Sequence, residues 1–330
     1  MKRRAVLRAL ILSITPSFAT DAVLRSSSAF AQTPATIPRI GVLTLVANST
    51  LEDGLRQGLR ERGYVEGKSI FIEWRRSLGT DEELRSLAAD LADSKVDLIV
   101  ASGSPAARAA MEKTAIPVVF LSGDPVAAGF AVSLARPGGN GTGVSVVTLE
   151  LTQKRMDFLY QVAPNARRFA YLRNPTNPLA GPLLKEAKTA AHTFGIALEI
   201  LEARNVGELD ASLDAIQRSK ADGFLVAQDL FLLANKSKIC RALRKTRRPA
   251  VFPVREYHDE GVLMSYGANL KEAMRHTAGY VDKILKGAKP SELPIEQISS
   301  YELVVNFRVA REMGIDMPQS ILLRADEVIR

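Results

Sequence analysis

Short apolar runs alternate with amphipathic stretches along most of the chain. Residues 40–45 form an apolar run of the length of a buried strand. Leu51, Leu55 and Leu59 then recur four apart, the spacing of one helical face, in a stretch that ends at Gly63. Residues 69–74 read as a strand. Residues 82–94 read as a helix with Leu84, Leu87 and Leu91 on one face. Residues 97–101 and 117–121 read as strands on either side of a helix over 105–114. Such βαβαβαβ alternation predicts a parallel sheet with helices on both faces.

The pattern then starts again about 130 residues further on. Strands are expected over 168–172, 197–201, 223–227 and 250–253, with helices over 183–194, 209–218 and 233–245 between them. Each copy closes with a further strand, 142–147 in the first and 261–266 in the second, followed by a helix. The fold class is therefore α/β: two similar Rossmann-like lobes with parallel sheets, joined by a three-segment hinge. The first lobe is expected over 39–147 plus about 269–306, including a helix over 273–285. The second takes 148–268 plus about 307–330.

Residues 1–31 have the three parts of a secretory signal. A basic start (Lys2, Arg3, Arg4) precedes an apolar run, and Ala29, Phe30 and Ala31 make an A-x-A cleavage site. Arg3, Arg4 and Arg8 also match a twin-arginine export signal. Either a Sec or a twin-arginine signal implies export to the periplasm. The apolar run is shorter than the roughly 20 residues that span a bilayer. No cysteine follows it as a lipid attachment site, so the mature protein is expected to be soluble and not membrane-spanning.

Composition narrows the function. The chain has 330 residues, enough for two domains, with 46% hydrophobic and 24% charged residues, a globular balance. One cysteine excludes a disulfide scaffold and a Cys-based zinc cluster, and three histidines leave little for any metal site. A net charge of +8 invites a nucleic-acid partner. Removing the signal's five bases and one acid from 44 Lys+Arg and 36 Asp+Glu leaves 39 and 35. The excess falls by half, and no nucleic-acid partner is expected.

In open α/β sheets ligands sit beyond the C-terminal strand ends, so the strand-to-helix turns carry the candidate chemistry. The strongest is Ser102, Gly103, Ser104, Pro105 and Ala106. Ser104 suits an N-cap and Pro105 the first helical position. A helix N-terminus favours a carboxylate, and the serine hydroxyls add donors. In the second lobe, Asp229 either caps its helix or accepts from a ligand amine. A carboxylate site facing an acid suits a zwitterion such as an amino acid. Asn48 and Ser49 in one lobe, and Asn174 and Thr176 in the other, offer polar side chains at the first turns. Asp124 either lines the cleft or fixes the hinge, and Tyr266 either stacks on a ligand or is a half-buried aromatic.

Other features carry less. Residues 63–69 nearly spell a phosphate-binding loop, but one residue short and in helix–strand order, so a plain turn is expected. His192, His258 and His276 lack ligand spacing. Cys240 is expected to be packed, and the basic run from Arg241 to Arg248 to be a solvated helix end.

Several stretches resemble the ABC-transporter substrate-binding proteins of the tryptophan/tyrosine-binding type. They are GDPVAAG at 123–129, SLARPGGN at 133–140, GLRERGYVEG at 58–67, GVLMSYG at 261–267 and LLRADEV at 322–328. The resemblance runs from about 38 to 330 and implies a type I periplasmic-binding-protein fold with three interlobe crossings. It implies capture of a small ligand in the cleft and delivery to an ABC permease in the inner membrane. It also implies that the turn at 102–106 meets the ligand carboxylate and that the turn at Asp229 offers an acid. Arg173 departs from the family pattern, which often has tryptophan before Asn-Pro. The expected protein is a periplasmic solute-binding monomer with no cofactor, no metal and no enzymatic activity. The alternatives are an exported ligand-sensing module signalling to a membrane receptor and an exported α/β enzyme.

Overall fold

The computed structural model describes residues 37–45, 49–77, 80–146 and 149–330. The expected signal segment and Asn48 lie outside the described residues. The chain first lays down β1 (Arg39–Thr44), α1 (Ser49–Arg60), β2 (Phe71–Arg76), α2 (Asp81–Asp93), β3 (Leu98–Ser102), α3 (Ser104–Lys113), β4 (Val118–Ser122) and β5 (Gly141–Val146). It then crosses into a second layer: α4 (Leu149–Val162), β6 (Arg168–Arg173), α5 (Ala180–Thr193), β7 (Ala197–Glu202), α6 (Val206–Arg218) and β8 (Gly223–Val226). There follow α7 (Leu230–Ala234), α8 (Lys236–Thr246), β9 (Ala250–Phe252) and β10 (Met264–Ala268). A second crossing returns α9 (Leu270–Leu285) and β11 (Glu296–Ile298) to the first layer. A third delivers β12 (Tyr301–Asn306), α10 (Phe307–Met313), α11 (Gln319–Leu322) and β13 (Glu327–Ile329) to the second.

The two sheets have matching strand orders. The first runs β11-β5-β4-β3-β1-β2 and the second β13-β12-β10-β9-β8-β6-β7. Their common part is the doubly wound order in which β1 (or β6) lies between the strands that follow it. Residues 37–330 form one compact unit. The fold is thus α/β with two parallel-dominated sheets, as the hydrophobic pattern predicts.

Three details differ from expectation. β12 lies in the second sheet, so the third crossing falls between Ile298 and Tyr301 and not near residue 306. It also pairs antiparallel with β10, Met264 opposite Val305, because the chain reaches it from the other lobe without a crossover helix. The helix expected over 233–245 is two helices. Asn235 ends α7 and precedes α8, and its side-chain amide donates to the Phe231 carbonyl (2.8 Å).

The core follows the periodicity. Leu51, Leu55 and Leu59 of α1 are all buried, each contributing roughly 2 kcal/mol. They pack beside α9, which α1 approaches through two glycines. A Cβ on Gly54 would stand 2.4 Å from the Lys271 carbonyl oxygen, and one on Gly58 2.4 Å from that of Arg275. This contact ties the returning α9 to the first lobe.

Candidate functional site

The strand order places a switch point between β1 and β3 in one lobe and between β6 and β8 in the other. Helices leave these strand pairs toward opposite faces, so the C-terminal ends are left open as a crevice. The two crevices face each other. Between them lies a cleft of about 620 Å³, part of it open to solvent. Ser102, Gly103, Ser104 and Pro105 line it from the first lobe, and Asn177, Gln228, Asp229 and Leu230 from the second. Ser122 and Gly123 extend the first lobe's side, and the rest of the wall is apolar, including Leu51, Leu121, Val146, Leu179, Leu233, Val254 and Leu270.

Ser102 ends β3, beside Thr44 of β1. Its hydroxyl is buried and has no hydrogen-bond partner among the described residues. Gly103, not Ser104, is the N-cap of α3. Its φ of 93° and ψ of 150° lie where only glycine sits without strain. Ser104 is the first helical residue, and its hydroxyl accepts from the Gly123 N–H (3.3 Å), which explains why it does not cap. α1, α3 and α9 all present first-turn residues, Leu51, Ser104 and Leu270, to the cleft. Three helix N-termini bring partial positive charge to one place.

Asp229 lines the cleft and also caps α7. One carboxylate oxygen accepts from the Leu232 N–H (3.0 Å). The other accepts from Asn177 (2.8 Å) and, longer, from Asn174 (3.4 Å). Burial pushes its carboxyl above the usual range, and these donors act against that. Both oxygens are therefore occupied within the second lobe. Of its two expected readings the structure shows the helix cap, and the same residue also lines the cleft.

The remaining expected residues divide by position. Ala106 is buried in the core behind Pro105. Ser49 opens α1 and is exposed. Asp124 accepts from the N–H groups of Val126 and Ala127 (both 3.0 Å), closing the turn after β4. Asn174 accepts from Thr176 through its N–H (3.0 Å) and its hydroxyl (2.9 Å). Tyr266 packs edge-on against Phe158 and Tyr301 (centroids 5.2 and 6.3 Å). These residues shape the surrounding turns and lie off the described wall of the cleft.

Arg155 is a residue that periodicity does not reveal. It sits on α4, 1% exposed, and its bonds go to neutral oxygens. It donates to the Tyr266 carbonyl (2.7 Å), the Gln228 side chain (2.9 Å) and, longer, the Pro253 carbonyl (3.4 Å). Burial lowers its pKa to about 10. The available signal is a lone arginine among the apolar positions of a helix. Asn177 and Leu230 also belong to the wall and carry no signal beyond neighbouring the turns.

Elsewhere, residues 63–69 form a turn with Gly63 and Gly67 at positive φ and the Ser69 hydroxyl accepting from the Val65 N–H (2.8 Å). Cys240 is buried, and burial pushes its thiol up to about 12. Arg248 in the basic run donates to the Ser219 carbonyl (2.8 Å). Among the described residues no group of three or more His, Cys, Asp and Glu could hold a metal ion. No described helix is long and apolar enough to cross a membrane.

Comparison with known proteins agrees with this geometry. The chain is 21% identical over 273 residues to a tyrosine-binding protein of Clostridioides difficile, covering 81% of this chain and 78% of that one. A solved structure of a conserved domain protein from Vibrio cholerae superposes with a TM-score of 0.83 at 26% identity, covering 88% of this chain and 99% of that one. The structure of an ABC domain in complex with L-Trp, from Streptococcus pneumoniae, gives 0.82 at 26% identity with the same coverage. Both superpositions carry the two-lobed fold described above. Residues 39–329 match the family model for the ABC transporter substrate binding protein, and the chain belongs to that family.

Proposed function

We propose that this substrate-binding protein captures a small ligand with a carboxylate and an apolar body, of the amino-acid kind, in the interlobe cleft. It then presents the ligand to the permease of an ABC import system. The carrying observation is the Ser102 hydroxyl, buried at the cleft without a partner among the described residues and beside the N-terminus of α3. A buried hydroxyl left unpaired costs about 1–3 kcal/mol, and a ligand oxygen at that point would remove the penalty. The converging helix N-termini favour a negative oxygen there. The leucine-rich remainder of the wall suits an apolar body. The tyrosine-binding and L-Trp-bound relatives support the same ligand class.

Ser102, Gly103, Ser104 and Pro105 form the carboxylate side of this site. Asp229 serves it by holding Asn177 and the α7 turn in place. The three crossings act as the hinge about which the lobes close, and the closed form docks on the permease. The family and the export-type N-terminus support action in the periplasm.

Mass spectrometry of small molecules released from the purified protein tests this reading. A carboxylate-bearing compound, amino acids foremost, is expected. A neutral sugar as the released ligand would overturn it.

A further inference from the structure

Arg155 and Gln228 together fix the chemistry of the second lobe's wall. A guanidinium has five N–H donors and no acceptor. The Gln228 side chain can therefore meet Arg155 only through its amide oxygen, and the contact is 2.9 Å. Arg155 cannot turn away. Its Nε is held by the Tyr266 carbonyl at 2.7 Å, its Nη2 also reaches the Pro253 carbonyl at 3.4 Å, and the residue is 1% exposed. Gln228 is half-buried and lines the cleft. With its oxygen turned inward, the atom group left for the cleft is the NH₂.

We infer that Gln228 is the second lobe's hydrogen-bond donor to the captured ligand, and that Arg155 is the positioning residue that keeps its amide from flipping. The site then recognises an acceptor oxygen from both lobes, through Ser102 on one side and Gln228 on the other. An amine facing Gln228 is rejected, because the amide offers it no lone pair. This inference rests on ligand capture in the cleft and assigns the polarity of that site.

The test is Gln228→Glu, which keeps the shape and the oxygen that Arg155 binds but replaces the donor with a second acceptor. L-tyrosine and L-tryptophan are the probes, titrated by calorimetry. Whichever binds the wild type is expected to lose at least tenfold in affinity in the variant. The melting temperature is expected to hold or rise, because a buried cation gains a counter-charge. Arg155→Lys is expected to keep part of the affinity, whereas Arg155→Met, with the amide free to turn, loses more. Affinity of Gln228→Glu within twofold of wild type, at an unchanged fold, overturns the inference.

Failure of the wild type to bind either probe counts against the amino-acid reading and not against the amide orientation. That orientation is read without ligand from the Gln228 side-chain NH₂ signals in ¹⁵N NMR, assigned by their loss in Gln228→Glu. Fast exchange with solvent is expected, and slow, protected exchange overturns the assignment.

Discussion

Leu230 of the second lobe rests on Gly103 of the first. A Cβ added to Gly103 would stand 2.6 Å from Leu230 Cδ1. The contact spans the cleft between the helix that leaves β3 and the helix that leaves β8. It makes one glycine responsible both for the backbone turn of the site and for the approach of the two lobes.

Gly103→Ala is therefore expected to destabilise the protein by about 1–3 kcal/mol, measured by urea unfolding. Most of that comes from the backbone, since φ is 93°. The Leu230 side chain can rotate aside. Adding Leu230→Ala should accordingly recover little of the stability. Full recovery in the double variant would assign the cost to the interlobe contact instead.

Ser102→Ala separates binding from folding. The hydroxyl makes no hydrogen bond among the described residues, so its removal should leave stability unchanged or raise it by up to about 1 kcal/mol. Affinity for the natural ligand should fall about 10–150-fold, the worth of one hydrogen bond to a charged group. A variant with full affinity would remove Ser102 from the site.

Gly58→Ala tests the seam that returns α9 to the first lobe. A Cβ there would lie 2.4 Å from the Arg275 carbonyl oxygen and 2.7 Å from Ala278 Cβ. Both neighbours sit on helix backbone and cannot rotate away. A loss of about 1–3 kcal/mol is expected, read by thermal or urea unfolding. A neutral effect would mean that the two helices separate readily.

Glu256 sets a pH signature from a buried position off the lining of the cleft. Neither carboxylate oxygen meets a donor of another described residue, and burial pushes the group up to about 7 from an ordinary 4.5, against the pull of the residue's own N–H. Glu302 raises it further, while Arg255 and Lys236 lower it. Between those values the unfolded chain releases a proton that the folded chain retains. This group's effect is thus a stability that falls as pH climbs from about 4.5 to about 7 and is level above. His258, which burial lowers to about 4 from 6.5, acts oppositely over its own interval and flattens the wild-type profile. The difference between wild type and Glu256→Met isolates Glu256. The variant should be more stable at pH 8, by on the order of 3 kcal/mol, with the gap closing toward pH 4.5. A gap independent of pH would show that Glu256 does not titrate in this interval.

Much of the fold was legible because a strand buried on both faces leaves a short apolar run. A helix on a sheet leaves a four-residue spacing, as Leu51, Leu55 and Leu59 do. The repeat followed from comparing the two halves. β12 was misplaced because residues 301–306 look like any buried strand. Which sheet takes them depends on pairing with β10, far away in sequence. In the site, the turn from Ser102 to Pro105 was found from helix-start chemistry. Asp229 was found too, with capping as one of its two stated readings, and the structure gives its oxygens to neighbours 3 to 55 positions away.

The sequence by itself determined the class of fold, the doubling of the lobes and the turns on which a ligand site could lie, since these depend on local periodicity and strand-end chemistry. Only the tertiary structure decided which polar atoms remain free. Hydrogen bonds between distant turns hold Asp229 and orient Gln228 through Arg155, while Ser102 is left without a partner among the described residues. Which donors and acceptors are already used inside the fold is a property of packing, and no stretch of neighbouring residues encodes it.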